Sequence, residues 1–251
     1  MSVVTSPHSE TLVLRGIGPD FYERFLEELD GQSIWHTFDD GDFELPSPLL
    51  LHGVSWDFYE EFLEATQNQR VRHTYDDGEL EIMSPMRMEH ENPKKQLAQL
   101  VEVLTEELGI PRKSVGSMTL RSRRKAKGLE PDECYYIAHE LQMRRKTTYD
   151  PNRDPAPDLA IEVDWTSDSL PRLPLYAKLA VTEVWRYHQG RLMVLLLQPN
   201  GEYIASEQSI AFPTLPLDEF RRFVTRDLDV DETTWIRSFR QWVRERLVPK
   251  S

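Results

Sequence analysis

Residues 12–48 (LVLRGIGPDFYERFLEELDGQSIWHTFDDGDFELPSP) recur without a gap at 49–85 (LLLHGVSWDFYEEFLEATQNQRVRHTYDDGELEIMSP), with roughly half of the aligned positions identical. A stretch that repeats itself has to fold twice in the same way, so each copy is expected to be one supersecondary unit. Each reads as a helix followed by a hairpin. Pro19 suits the opening position of a helix in the first copy, and Ser55 suits an N-cap in the second. Tyr22, Phe25 and Leu26, mirrored by Tyr59, Phe62 and Leu63, keep helical spacing. The hairpins turn at Asp40-Gly41 and Asp77-Gly78, where glycine permits the positive φ of a tight two-residue turn. Two copies are too few for a solenoid. They imply a partial duplication, the first copy packing as an extension on a domain that uses the second.

Beyond the repeat the pattern is α/β. A long helix is expected from about Asn92, with Pro93 in its first turn and an apolar stripe of Leu97, Leu100, Val101, Leu104 and Leu108. Gly109 and Pro111 stop it. A strand CYYIA (134–138) follows, entered through Glu130-Pro131-Asp132, and a Pro- and Asp-rich loop (149–157) leads to DLAIEV (158–163). The near-continuous hydrophobicity of that segment predicts a strand buried on both faces. A short helix over 172–180, strands over 183–187 and 192–198, and two amphipathic helices from about Leu217 complete the chain. The aromatic stripe Trp235, Phe239, Trp242 and Val243 reads as core packing.

Charge and cysteine content narrow the chemistry. Net charge is -13, which disfavours a nonspecific nucleic-acid binder. The distribution is uneven, because Arg112, Lys113, Arg121, Arg123, Arg124, Lys125 and Lys127 fall together with no acid among them. Such a run is either a solvated loop face or a local surface for phosphate contacts. Cys134 is the only cysteine, so an internal disulfide and a thiolate zinc site are excluded and a reducing cytoplasm is expected. No apolar run is long enough for a membrane span and no secretory signal is visible. Phosphate loops, dinucleotide fingerprints, nucleophile elbows and paired zinc histidines are all missing.

What remains is carboxylates. Asp132 stands at the entrance of one strand and Glu162 lies inside an apolar one; if the strands are neighbours, the two side chains converge. A carboxylate in a hydrophobic strand is costly unless it is paired or bound to a metal. Clustered carboxylates repel unless a hard cation sits among them, and Mg²⁺ suits such oxygen ligands. Caps, turns and salt bridges are the competing explanation.

The segments DGELEIMSP and EHE (within 77–91), EPDECYYI (130–137), PAPDLAIEVD (155–164) and LYAKLAVTEVWRY (175–187) resemble, in order, the Uma-two family of the restriction-endonuclease-like, PD-(D/E)XK superfamily. The resemblance spans 49–213. It implies a mixed central sheet flanked by helices over 49–213; outside it the repeat leaves an N-terminal extension over 1–48, and the helical spacing leaves a tail over 214–251. It also implies roles for single residues. Asp132 takes the superfamily's strand Asp, Glu162 its Glu, and Glu91 (with Glu89 as fallback) the acidic residue of the first helix. Asp158 either supports a ligand from behind or is itself the alternative Asp ligand. Where the superfamily places a lysine, this chain has Asp164, which can add a metal ligand; the cation is then expected on the next helix, as Arg172 or Lys178.

The expected function is a Mg²⁺- or Mn²⁺-dependent endonuclease acting on DNA, with the 112–127 segment on the phosphate backbone. The alternatives are a catalytically inactive relative that binds nucleic acid or protein, and an interaction protein that uses the duplicated unit. A homodimer is the default oligomer.

Overall fold

The computed structural model describes residues 10–29, 31–69, 71–84, 88–164, 171–188 and 190–249, except for the side chains of 10, 88–91 and 164. Along the chain run β1 (Glu10–Leu14), α1 (Pro19–Glu28), β2 (Thr37–Asp39), β3 (Asp42–Ser47), β4 (Leu49–Leu51), α2 (Trp56–Thr66), β5 (Arg72–Asp76) and β6 (Glu79–Met83). Then come α3 (Met88–Leu108), β7 (Lys113–Ser114), β8 (Leu120–Ser122), β9 (Lys127–Leu129), β10 (Glu133–Tyr136), α4 (Glu140–Met143), β11 (Leu159–Asp164) and α5 (Arg172–Leu179). The chain continues with β12 (Glu183–His188), β13 (Arg191–Leu197), β14 (Tyr203–Ser206), α6 (Leu217–Val224) and α7 (Glu232–Arg246). These elements form two compact units. The first comprises Met1–Pro85, Arg121–Glu130 and Ser169–Leu175; the second comprises Met86–Leu120, Pro131–Asp168 and Tyr176–Ser251.

In the first unit the two copies adopt the same topology in the same register. Leu12 pairs with Leu45 and Leu14 with Phe43; in the second copy Leu49 pairs with Ile82 and Leu51 with Leu80. Each copy is therefore a strand, a helix and a hairpin, with strand orders β1-β3-β2 and β4-β6-β5. The leading strands escape the helix-and-hairpin reading because three apolar residues are too few to show a period. Pro19 opens α1, and Ser55 caps α2 by accepting from the Phe58 N–H at 3.2 Å. Both hairpins turn through consecutive positive φ angles, 47° and 83° at Asp40-Gly41 and 50° and 94° at Asp77-Gly78. That is the twist a two-residue hairpin needs.

The copies also pair with each other as equivalents. Gln32 bonds both backbone groups of His52, donating to its carbonyl at 2.7 Å and accepting from its N–H at 2.9 Å. The twin residue Gln69 does the same to Arg15, the twin of His52, at 3.0 and 2.8 Å. Phe21 stacks on its own twin Phe58 with ring centres 5.5 Å apart, and Arg24 lies 3.7 Å from its twin Glu61. Such reciprocity is the mark of a pseudo-two-fold pair. The first copy is thus not a loose extension but one half of a symmetric core containing Phe25, Phe43, Phe58 and Phe62.

The second unit is built on a six-stranded sheet of order β14-β13-β12-β11-β10-β7. β10 and β11 are antiparallel, whereas β11 and β12 are parallel and are joined through the crossover helix α5. A parallel pair needs such a connection, which brings a helix onto the sheet. Alternation along the strands sorts the two faces. Ile161, Val163, Trp185, Tyr187, Leu192 and Val194 join the core that holds residues of α3, α6 and α7. Glu162 and Arg186 occupy the intervening positions and so point to the other face.

Helix α3 starts at Met88, a turn earlier than the Asn92-Pro93 signal predicts, and Pro93 lies inside it. Proline's fixed φ suits a helix and removes a single hydrogen bond; Pro93 is buried, so packing outweighs that loss. Among the described residues no helix is long and apolar enough to cross a membrane.

Candidate functional site

Asp132 precedes β10, and the antiparallel register that sets Glu133 opposite Ile161 carries it to the level of Glu162. Its Oδ2 accepts from the Val163 N–H at 2.6 Å, and its own N–H donates to the Ile161 carbonyl at 3.1 Å. Asp132 is 2% exposed and Glu162 6%. The phenol of Tyr176, on α5, donates to Glu162 Oε1. Two carboxylates thus come to adjacent levels on one face of the sheet, each oriented by a protein donor. Burial of charge at that density is costly without compensating partners. The donors are oxygens only, the set that a hard divalent cation prefers.

The other candidate residues lie apart from this pair or beyond the described side chains. Asp158 sits at the opposite end of β11, roughly 13 Å from Glu162 at the rise of an extended strand. It holds a loop. Its Oδ2 accepts from the Ile137 and His139 N–H groups at 2.7 and 3.0 Å, and its Oδ1 lies 2.6 Å from His139 Nδ1. Asp164 ends β11 and Glu91 lies in the first turn of α3; both side chains, and that of Glu89, fall outside the described residues. Among the described residues no three His, Cys, Asp or Glu side chains gather to hold a metal. The next carboxylate along the chain, Glu133, occupies the face opposite to Asp132. Burial raises its pKa, while Lys94 pulls it down. Cys134 is buried, donates to the Gly116 carbonyl at 3.2 Å, and has its thiol pKa pushed up by burial.

The two α5 cations differ in setting. Arg172, in the first unit, is half-buried and donates to the Glu130 carbonyl and, at 3.3 Å, to Thr74 Oγ1. Lys178 is exposed. The basic segment is divided between the units and largely engaged. In the second unit Arg112 donates to Thr105 Oγ1 at 2.9 Å, and Lys113 donates to the carbonyls of Met143, at 2.8 Å, and Lys146. In the first, Arg121 lies 3.9 Å from Glu60, Arg123 pairs with Asp57 and Glu60, and Lys127 pairs with Asp76. Arg124 and Lys125 follow Arg123 in a 3-10 turn, Arg124 exposed.

Three residues around the carboxylates are not singled out by the sequence reading. Tyr176 holds Glu162. Arg186 is the direct neighbour of Glu162 in the β11–β12 ladder, and His188 is the neighbour of Asp164. The signal for Arg186 was present. It is a charge inside an apolar strand, the same argument that picks out Glu162, but pairing it with Glu162 requires the parallel register.

Comparison with known proteins identifies the family. The chain matches the Uma2 family model, described as "Putative restriction endonuclease", over residues 59–229. No curated protein matches it. A crystal structure described as "a putative nuclease belonging to DUF820" from Anabaena variabilis is similar over 68% of this chain and 90% of its own, at 13% identity and a TM-score of 0.39. That likeness is too distant to carry an argument. The family match spans well over half of the chain and includes Asp132, Glu162, Tyr176 and Arg186, so the protein belongs to the Uma2 family of restriction-endonuclease-like proteins.

Proposed function

We propose that the protein is a divalent-metal-dependent endonuclease that hydrolyses phosphodiester bonds in DNA, with Asp132 and Glu162 as its central carboxylates. The observation that carries this reading is the pair itself: two buried acids at adjacent levels, one just before β10 and one in β11, in a family described as "Putative restriction endonuclease". Mg²⁺ or Mn²⁺ would be held by oxygens of Asp132 and Glu162, with Glu91 or Asp164 as the natural third ligand. Bound there, the ion supplies Lewis acidity that activates water and offsets charge on the phosphate.

The protein's own residues then have defined tasks. The Val163 N–H fixes the Asp132 carboxylate and the Tyr176 hydroxyl fixes Glu162, so that neither has to reorganise during reaction. Arg186, alongside Glu162, brings a permanent positive charge to the face on which the phosphate would lie. Lys178, which α5 carries in the same unit, is a second cation for that purpose. An arginine orients and stabilises but does not take a proton, so water must lose its proton to a carboxylate or to solvent.

A second reading is favoured by a separate observation. The basic segment meant for the backbone has Arg121, Arg123 and Lys127 engaged with acids of its own unit. Cations held by their own acids have less to offer a phosphate backbone, which favours a catalytically inactive relative that binds protein.

Calorimetric titration of Mn²⁺ into wild type, Asp132→Asn and Glu162→Gln, with plasmid nicking at low salt, separates the two. Metal binding and nicking that vanish together in folded variants support the nuclease. Unchanged metal binding in both variants refutes the site.

A further inference from the structure

In the second copy of the repeat the outer edge of β5 is occupied. Thr74, Tyr75 and Asp76 pair with Leu129, Gly128 and Lys127 of β9, and the Asp77 N–H donates to the Ala126 carbonyl at 2.9 Å. Side chains fix the strap at both ends. Arg123 pairs with Asp57 and Glu60, and Lys127 with Asp76. Gly128 crosses the face of Tyr59, which stacks on Tyr75. A Cβ at 128 would lie 2.3 Å from the Tyr59 hydroxyl, so that position admits only glycine.

The first copy keeps the residues that make these contacts but, among the described residues, has no strap. Asp57, Tyr59, Glu60, Thr74, Asp76 and Asp77 have identical twins in Asp20, Tyr22, Glu23, Thr37, Asp39 and Asp40, and Tyr75 has Phe38. About half of the repeat has diverged, yet six of these seven positions are identical and the seventh keeps an aromatic ring. Their geometry holds as well, since Tyr22 stacks on Phe38 at 4.4 Å as Tyr59 does on Tyr75 at 4.6 Å. Among the described residues, however, β2 is an edge strand paired only with β3. Asp20, Glu23, Thr37 and Asp39 are exposed, Tyr22 is half-buried where Tyr59 is fully buried, and Trp35 beside them is 57% exposed.

We propose that the outer edge of β2 is a docking site for a basic turn-and-strand segment of a partner protein with the pattern Arg-x-x-x-Lys-Gly-apolar, the pattern that residues 123–129 bring to β5 as a 3-10 turn followed by β9. Strand addition supplies backbone hydrogen bonds, the Asp20/Glu23 and Asp39 carboxylates select the two cations, and Tyr22 selects glycine between them. The twin residues holding just such a segment in the same molecule identify the ligand chemistry.

The probe is a fluorescent peptide of residues 120–130 (LRSRRKAKGLE), titrated against the full chain by anisotropy at low salt. Saturable one-to-one binding is expected. It should weaken about tenfold or more with Asp39→Lys or with Asp20→Lys/Glu23→Lys, exposed changes that leave the circular dichroism intact. A peptide with alanine at the glycine position should bind at least as poorly. Hydrogen exchange should slow at residues 37–40. No saturable binding, or binding indifferent to these substitutions, overturns the proposal. So does slowing confined to residues 74–77, which would mean that the peptide merely displaces β9.

Discussion

His73 offers the sharpest quantitative test of how the first unit is put together. The ring is 3% exposed on β5, with the Tyr59 and Phe62 ring centres 5.5 and 5.9 Å away. Its Nδ1 lies 4.0 Å from Glu130 Oε2, and its Nε2 has no hydrogen-bond partner among the described residues. Burial, then the positive charges of Arg172 and Arg72, push its pKa from 6.5 down to about 3, against a smaller opposing effect of the Val71 backbone. The sign follows from proton counting. Between the two values the unfolded chain carries a proton on this imidazole and the folded chain does not, so stability falls as pH drops below 6.5. At pH 5 the penalty is about 1.5 pH units at about 1.4 kcal/mol each, or about 2 kcal/mol. This requires only that the folded-state pKa lie well under 5. His73→Leu removes the titration and the Val71 interaction, costing about 1 kcal/mol at pH 7.5, where neither state of the wild type is charged. Urea unfolding followed by tryptophan fluorescence at pH 7.5 and 5 should therefore show the variant gaining about 2 kcal/mol on the wild type between the two conditions. The carboxylates titrate in both proteins and cancel in the comparison. Parallel pH profiles would refute the reasoning, because they would mean that His73 stays protonated in the folded state opposite Glu130.

Two further outcomes test the second unit. Glu183 is fully buried and accepts from Trp185 Nε1, Ser209 Oγ and the Ile210 and Ala211 N–H groups at 2.6–2.9 Å. Glu183→Ala should cost about 3–5 kcal/mol in denaturant unfolding and speed amide exchange at 210 and 211, and a loss below 1 kcal/mol would show that the network is dispensable. Arg186→Met removes a positive charge beside Glu162 and should tighten Mn²⁺ binding several-fold while weakening DNA binding. Looser metal binding would instead make Arg186 the residue that holds Glu162 in place.

Much of this architecture is written locally in the chain. The repeat, its helix starts at Pro19 and Ser55 and its Asp-Gly turns are short-range chemistry, in which a fixed φ, a capping hydroxyl and a positive φ need no distant partner. Glu162 stands out for the same reason, as a charge in an apolar strand, and the motif resemblance supplies Asp132 beside it. Tertiary pairing decided the rest. The parallel register of β11 and β12 sets Arg186 beside Glu162, and the packing of the 137–139 loop against Asp158 gives that carboxylate its partners. The basic run between Arg121 and Lys127 looks like a surface for phosphate until Asp57, Glu60 and Asp76 are found facing it from more than 50 positions away in the chain. The pseudo-two-fold pairing of the copies, and the edge it leaves open on β2, follow from how two identical faces fit each other. Sequence determines what each unit can be; which faces meet depends on long-range complementarity that no local period records.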